Sequence, residues 1–381
     1  MLCLRINGLP VAVLACLLLT AAPGFLELAS SCMVEVPSLA PVVAAFAILL
    51  LARPSRWPWA EIGAGILFGV ALQMKVIAVI YLPLAVLIVW LRSPREIKRH
   101  IVPALVIGLS ASASFILINQ ATGNPLGVQV QQALASHFSG VKSFEYGSPA
   151  DHRFDWKLLI RNWDATLPAL LGLVLCLRQV RKASLILLPA SWLLLTLLVV
   201  STHKPWWNNY YLHNAVPLCW CAAIGIWEAW QYARRSKAMI AILTIFLLTS
   251  GAWLGSRVYL QLMTMRSTPR LYNSLFLTQI KRYQNSTRFM FTDEPVYSFH
   301  AGIPLPPILA DISLKRLWSG DMTNAKLAAQ LAEIKPGVIL VANNGVELPY
   351  QELLQEDYRL IYQDAGHLLY ALKTIRPQEV P

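Results

Sequence analysis

The sequence predicts a polytopic α-helical membrane protein of about nine spans, carrying a small α/β domain at its C-terminal end. Three observations lead there. Of the 381 residues 56% are apolar, only 14% are charged and the mean hydropathy is +0.51, whereas a soluble domain carries about 25% charged residues. Apolar runs follow one another from residue 9 to residue 254, separated by short connectors. From roughly Ser267 onward charge density rises, apolar runs shrink to strand length, and Pro and Gly punctuate the chain.

The spans expected from hydropathy are Leu9 to Phe25, Glu35 to Ala52, Pro58 to Leu72, Val76 to Leu91, Ile101 to Ile118, Ala165 to Leu177, Ala183 to Ser201, Tyr210 to Trp230 and Ala238 to Leu254. Several fall short of the ~20 residues that a perpendicular helix needs, so their ends are soft. The basic residues test the count. Arg53 and Arg56, the run Arg92 to Arg99, the group Arg178, Arg181 and Lys182, and the group Arg234, Arg235 and Lys237 occupy alternate connectors, which puts them on one side of the membrane. The positive-inside rule makes that side the cytoplasm, with Arg5 ahead of the first span in agreement. The other side receives Glu27, Glu35, Lys75, the long loop from Asn119 to Asp164, the segment around His203 and the tail after Leu254. A signal peptide is the alternative reading of the first run, but Ala21-Ala22-Pro23 makes a poor cleavage site and the chain re-enters the membrane almost at once.

The formal charge of +12 does not point to nucleic acid, because most of the Lys and Arg in the first two thirds lie in those connectors. Cys3, Cys16, Cys32, Cys176, Cys219 and Cys221 lie in or beside apolar runs without C-x-x-C spacing, which indicates neither a zinc site nor a disulfide framework.

Two domains follow: residues 1–260 as the bundle with its external loop 119–164, and residues 267–381 as an extracytoplasmic α/β domain. In the second, Arg288 to Thr292, Val338 to Ala342, Tyr358 to Tyr362 and His367 to Leu372 read as short strands. Asp293-Glu294-Pro295 holds an N-cap residue with Pro soon after and opens a helix that runs to Ala301-Gly302. Thr323 caps a second helix, Asn324 to Ile334, which Lys335-Pro336-Gly337 stops. Parallel or mixed pairing stays open. The acids Asp293, Glu294, Asp311 and Asp321 fit caps and turns better than a metal.

Chemistry concentrates on the non-basic side. The segment Ser201 to Pro217 packs His203, Lys204, Trp206, Trp207, Tyr210, Tyr211 and His213 between two apolar runs. That is richer than an aromatic belt requires, although Trp206 and Trp207 alone fit a belt as well as they fit a sugar face. Lys75 stands alone in the apolar stretch Gly65 to Trp90. It either snorkels from a hairpin or meets a phosphate, for which a compact point charge is suited. Glu35 lies at the mouth of the second span, where an acid is costly unless solvated, paired or liganding a cation. The bland reading is a hydrated carboxylate favoured by the helix dipole. Asp151, His152 and Asp155 resemble metal ligands in type, but such residues also satisfy one another in ordinary loops; a structured lid or surface helix is the expected use.

The run Ser31 to Ala45 with its acid followed by Val36-Pro37, the Gly-rich span closing on Gly69-Val70-Ala71-Leu72-Gln73-Met74-Lys75, and the Lys-Pro and Tyr-rich loop leading to Pro217 resemble the GT-C membrane glycosyltransferases. More narrowly, they are similar to bacterial members of glycosyltransferase family 39, the protein O-mannosyltransferase and aminoarabinose transferase group. In the tail, Thr292-Asp293-Glu294-Pro295, Pro306-Pro307, Ala310-Asp311-Ile312 and Lys335-Pro336 also resemble the extracytoplasmic tails of such proteins.

The resemblance implies a bacterial inner-membrane enzyme that moves a hexosyl or pentosyl group from a polyprenyl-phosphate donor to a lipid, glycan or protein acceptor outside the cytoplasm. It implies that Glu35 helps hold substrate or a divalent cation, that Lys75 and Lys204 face the carrier phosphate with His203 in support, and that Tyr210, Tyr211 and His213 add hydrogen-bond donors. Family members usually start with a further span and a long external loop bearing the main catalytic base. No counterpart precedes Glu35 here, so the expectation is an N-terminally shortened chain or a variant without that base, with a non-enzymatic lipid-linked-sugar binder or translocator as the alternative. A solute transporter is disfavoured, since the chain shows no halved internal symmetry.

Overall fold

A computed structural model describes residues 2–30, 35–52, 58–92, 98–123, 153–178, 185–204, 206–267, 275–310, 312, 314–342, 348–364 and 366–378. The described residues up to Ser267 form one compact unit and those from Leu275 a second.

The first unit is all helical. Short α1 (Leu2–Asn7) and α2 (Leu9–Thr20) lead through a turn to α3 (Phe25–Ser30), α4 (Glu35–Leu51), α5 (Trp59–Met74), α6 (Leu82–Arg92) and α7 (Lys98–Ala121). After the connector come α8 (Lys157–Arg161), α9 (Trp163–Leu177), α10 (Leu188–Thr202), α11 (Tyr211–Ala233) and α12 (Lys237–Ser267). Every expected span has its helix, with shifted ends. Pro23 and Gly24, the latter at φ 69°, stop the first run at Thr20 and not at Phe25. The last helix continues past Leu254 to Ser267 and so takes in Arg257 and Gln261. Three stretches among the described residues are long and apolar enough to cross a membrane by themselves: Ile101–Ala121, Leu185–Thr202 and Lys237–Arg266. Further apolar helices, among them Leu9–Thr20 and Trp59–Met74, are shorter. Unbroken apolar faces such as Leu105, Leu109, Leu198, Ile242 and Leu248 lie exposed, as lipid-facing surfaces do.

Close approach of backbones sets the packing. A Cβ added at Gly172 of α9 would overlap the Cys221 carbonyl of α11, and one at Gly225 would overlap the Pro168 carbonyl, so this crossing requires glycine on both sides. Gly65 and Gly69 of α5 do the same against α7, where the Ser114 hydroxyl donates to the Ile66 carbonyl across the interface at 3.3 Å. At the end where α4 stops, Arg92 donates to the Ala52 carbonyl at 2.6 Å, a cation placed on an otherwise unpaired helix C-terminus. The core between these helices is aromatic: Trp192 stands edge-on to Phe46 and Tyr81 at 5.2 and 5.8 Å.

The second unit is a small mixed sheet covered by helices. Strands β1 (Met290–Thr292), β2 (Val338–Ala342), β3 (Tyr358–Gln363) and β4 (His367–Leu372) lie in the order β1-β2-β4-β3, with β1 and β2 parallel and the other neighbours antiparallel. Helix α13 (Leu275–Lys281) and α14 (Pro295–Ala301) pack with Met290, Val338 and Leu340, while Leu327 and Leu331 of α16 (Asn324–Ile334), which follows α15 (Leu314–Trp318), pack with Phe291 and Ile339. Thr323 accepts from the Lys326 amide at 3.2 Å and Lys335 takes the left-handed conformation at φ 47°, so cap and stop fall where expected. The N-cap of α14 is Glu294, with Pro295 following it. Its amide donates to the Thr292 hydroxyl at 3.0 Å and its carboxylate meets His367 Nε2 at 2.9 Å. Asp321 accepts from Arg316 Nε at 2.6 Å, and Asp311 lies outside the described residues. Next to α17 (Gln351–Asp357), burial raises the Tyr358 phenol well above its usual range, so it remains the donor to the Pro336 carbonyl at 2.8 Å.

Candidate functional site

Lys75 is the hinge of the site. Helix α5 ends at Met74, and Lys75 is extended, φ −158° and ψ 122°, before the chain re-coils as a 3₁₀ turn, Val76–Tyr81, that feeds α6. The Lys75 ammonium stands 4.8 Å from the centre of the Tyr210 ring, a cation–π contact that holds the charge without neutralising it. Tyr210 is itself fixed by the segment before it. His203 ends α10 with its amide donating to the Val199 carbonyl at 2.9 Å, and Tyr210 closes a short 3₁₀ turn into α11. The Tyr210 ring lies 5.6 Å from His203 and 6.3 Å from His213.

His213, one turn into α11, is fully buried. Its Nδ1 and the Tyr81 hydroxyl are 2.6 Å apart, a bond that fixes the imidazole in either tautomer. Its Nε2, together with both polar atoms of the adjacent Asn214 side chain, is buried without a partner among the described residues. Groups of that kind are costly until an oxygen or a donor meets them. Lys75, His203, Tyr210, His213 and Tyr81 thus form one continuous group at a single end of the bundle.

Tyr211 belongs to a different group. Its hydroxyl accepts from Asn162 Nδ2 at 3.0 Å, Asn162 in turn accepts from Arg257, and Arg257 forms an ion pair with the fully buried Asp164. Consecutive helical residues point about 100° apart, so one turn of α11 serves both groups.

The expected residues therefore divide. Lys75, His203, Tyr210 and His213 are brought together, Tyr211 faces the second group, and Lys204 is exposed on the turn. Glu35 is the first residue of α4, which packs beside the 3₁₀ turn after Lys75; its side chain and that of Glu27 lie outside the described residues. Trp206 is neither a belt residue nor an open stacking face, because it is buried against Phe154 at 5.4 Å, while Trp207 is half-buried. In the external loop, Asp151 and His152 lie outside the described residues, whereas Asp155 accepts from the Lys157 amide at 2.9 Å in a turn that leads into the short α8. Among the described residues no three His, Cys, Asp or Glu side chains gather as a cation would need.

Sequence reasoning passed over Tyr81, Asn162, Asp164 and Arg257. Arg257 carried a signal, since it lies three residues beyond an expected span end in a run that is still apolar, where a charge is seldom left unpaired.

No family model and no curated protein matches the sequence. A crystal structure of ArnT from Cupriavidus metallidurans bound to undecaprenyl phosphate matches with a TM-score of 0.56 at 13% identity, over 97% of this chain and 80% of that one. The fold is GT-C-like. At that identity the likeness concerns the fold, a multi-helix integral membrane bundle followed by a small sheet domain, and leaves the chemistry to the residues described above.

Proposed function

We propose that this chain is a membrane glycosyltransferase of the family 39 type, which takes a sugar from a polyprenyl-phosphate carrier and passes it to an acceptor on the extracytoplasmic side. The observation that carries the reading is Lys75. An ammonium at the break between two apolar helices, over the Tyr210 ring that also faces His203, suits a phosphate at the membrane boundary, on a fold shared with a protein crystallised with undecaprenyl phosphate.

In the proposed reaction an acceptor hydroxyl attacks the anomeric carbon, the bond from that carbon to the carrier phosphate breaks, and the hydroxyl proton passes to a base. Lys75, with Lys204 and His203 reaching in from the turn, stabilises the charge that grows on the departing phosphate. Glu35 orients the sugar at the mouth of α4. His213 is positioned by Tyr81 and offers Nε2 to a substrate oxygen.

The test is transfer from a labelled polyprenyl-phosphate sugar in membranes containing the full chain. Transfer that falls at least about 100-fold in the Lys75→Ala, Lys204→Ala double variant supports the proposal, since two charge-assisted contacts are each worth roughly 1.5–3 kcal/mol. Undiminished transfer by that variant contradicts it. Carrier binding without any transfer favours a binding protein for lipid-linked sugar.

A further inference from the structure

At the end of the bundle away from Lys75, α9, α11 and α12 leave a groove of ≈ 530 Å³ between them, within the ~300–1,000 Å³ of ordinary ligand sites. Leu171 and Leu175 form one wall, Ala229 and Tyr232 the floor, and Ile242 and Phe246 the other wall. The groove opens sideways onto the apolar faces of the bundle, where Leu171 and Ile242 are exposed.

Its rim is basic. Arg178 follows the last residue of α9, Arg234 follows the last of α11 and Lys237 begins α12; all are exposed. Arg235 folds back over the Tyr232 ring at 5.6 Å, so one of the four cations is attached to a residue that lines the groove. Glu228, also in the lining, lies six residues before Arg234 on α11, or roughly 9 Å further in at 1.5 Å per residue.

Basic connectors by themselves are explained by membrane orientation and by the helix C-termini they neutralise. Neither reason requires an apolar groove directly beneath them, nor an arginine anchored on its lining. We propose that this groove holds an anionic phospholipid, with one acyl chain between α9 and α12 and the headgroup phosphate at Arg178, Arg234 and Arg235. The Glu228 carboxylate repels a phosphate that slides inward and so keeps the headgroup at the rim. The occupant belongs to the leaflet opposite the proposed sugar site, and the inference stands whether or not transfer occurs.

The experiment uses the full chain purified in neutral detergent, offered phosphatidylglycerol or phosphatidylcholine, with bound lipid counted by native mass spectrometry. The wild type is expected to retain phosphatidylglycerol in preference. Each basic side chain near an anionic lipid is worth roughly fivefold, so the R178Q/R234Q/R235Q variant is expected to lose at least about tenfold of that retention. These three side chains are exposed, and helical content and melting verify that the variant folds. A second variant, A229W, fills the groove and is expected to displace the lipid with the cations intact. On the wild type alone, about 0.5 M salt is expected to weaken retention of phosphatidylglycerol. Equal retention of the two lipids by the wild type, or unchanged retention in the triple variant, overturns the proposal. So does a concentration-dependent dimer that A229W abolishes, because a second copy of the chain would then fill the groove.

Discussion

Tyr210 and Tyr211 are neighbours in sequence and serve opposite purposes. Tyr210 faces Lys75, whose charge rests on an aromatic ring, while Tyr211 faces Asn162, Asp164 and Arg257, whose charges are spent on each other. A buried acid that already holds an arginine is a structural clamp, here tying α12 to α9 and α11. Lys75 instead meets a ring face, and a cation–π contact leaves its positive charge in place. The comparison shows that burial of charge alone does not mark a site, and that the nature of the partner does.

The clamp is expected to give the largest effect when broken. Asp164→Ala leaves the largely buried Arg257 guanidinium without its counter-charge and with Asn162 as its remaining acceptor, and should destabilise the protein by about 3 kcal/mol in thermal unfolding in detergent. Replacing both partners with apolar residues of similar size should recover most of that loss. If Asp164→Ala melts with the wild type, the clamp is not structural and the contrast with Lys75 collapses.

The next effect belongs to the other group. Tyr81→Phe removes the hydroxyl that meets His213 Nδ1 at 2.6 Å and should cost about 1–3 kcal/mol, the penalty of a buried polar atom left without a partner. An unchanged Tm would mean that the imidazole finds its partner elsewhere. Smaller again is Tyr211→Phe. Asn162 keeps its bond to the Leu158 carbonyl at 2.7 Å, so the loss should be about 0.5–1.5 kcal/mol. A loss as large as that of Asp164→Ala would show that Tyr211 carries more of the clamp than its single hydrogen bond accounts for.

Much of this was legible in the residues. A helix follows each of the nine expected apolar runs, and the sheet domain follows strand-length runs closed by Thr323, Lys335 and Gly302 at the expected points. These are local signals of period and capping, and they do not depend on distant contacts. Lys75 and the His203 segment were conspicuous because charge and amide groups are expensive next to an apolar run. The division between Tyr210 and Tyr211 was not legible. It depends on which helix faces each side of α11, and that is set by backbone contacts such as Gly172 with Cys221 and Gly225 with Pro168, which involve no polar signature. Arg257 escaped for a related reason: a hydropathy window closes a span at its first charge, while the helix continues and pairs that charge with Asp164.

The account rests on Lys75 being a ligand-facing charge. The direct measurement is the affinity of the purified full chain for undecaprenyl phosphate, wild type against Lys75→Ala, with thermal unfolding recorded on the same samples. The account predicts an affinity loss of about tenfold or more, from one charge-assisted contact of roughly 1.5–3 kcal/mol, at a Tm close to that of the wild type. Equal affinity in the two proteins would contradict it, and would make Lys75 a snorkelling residue stacked on Tyr210.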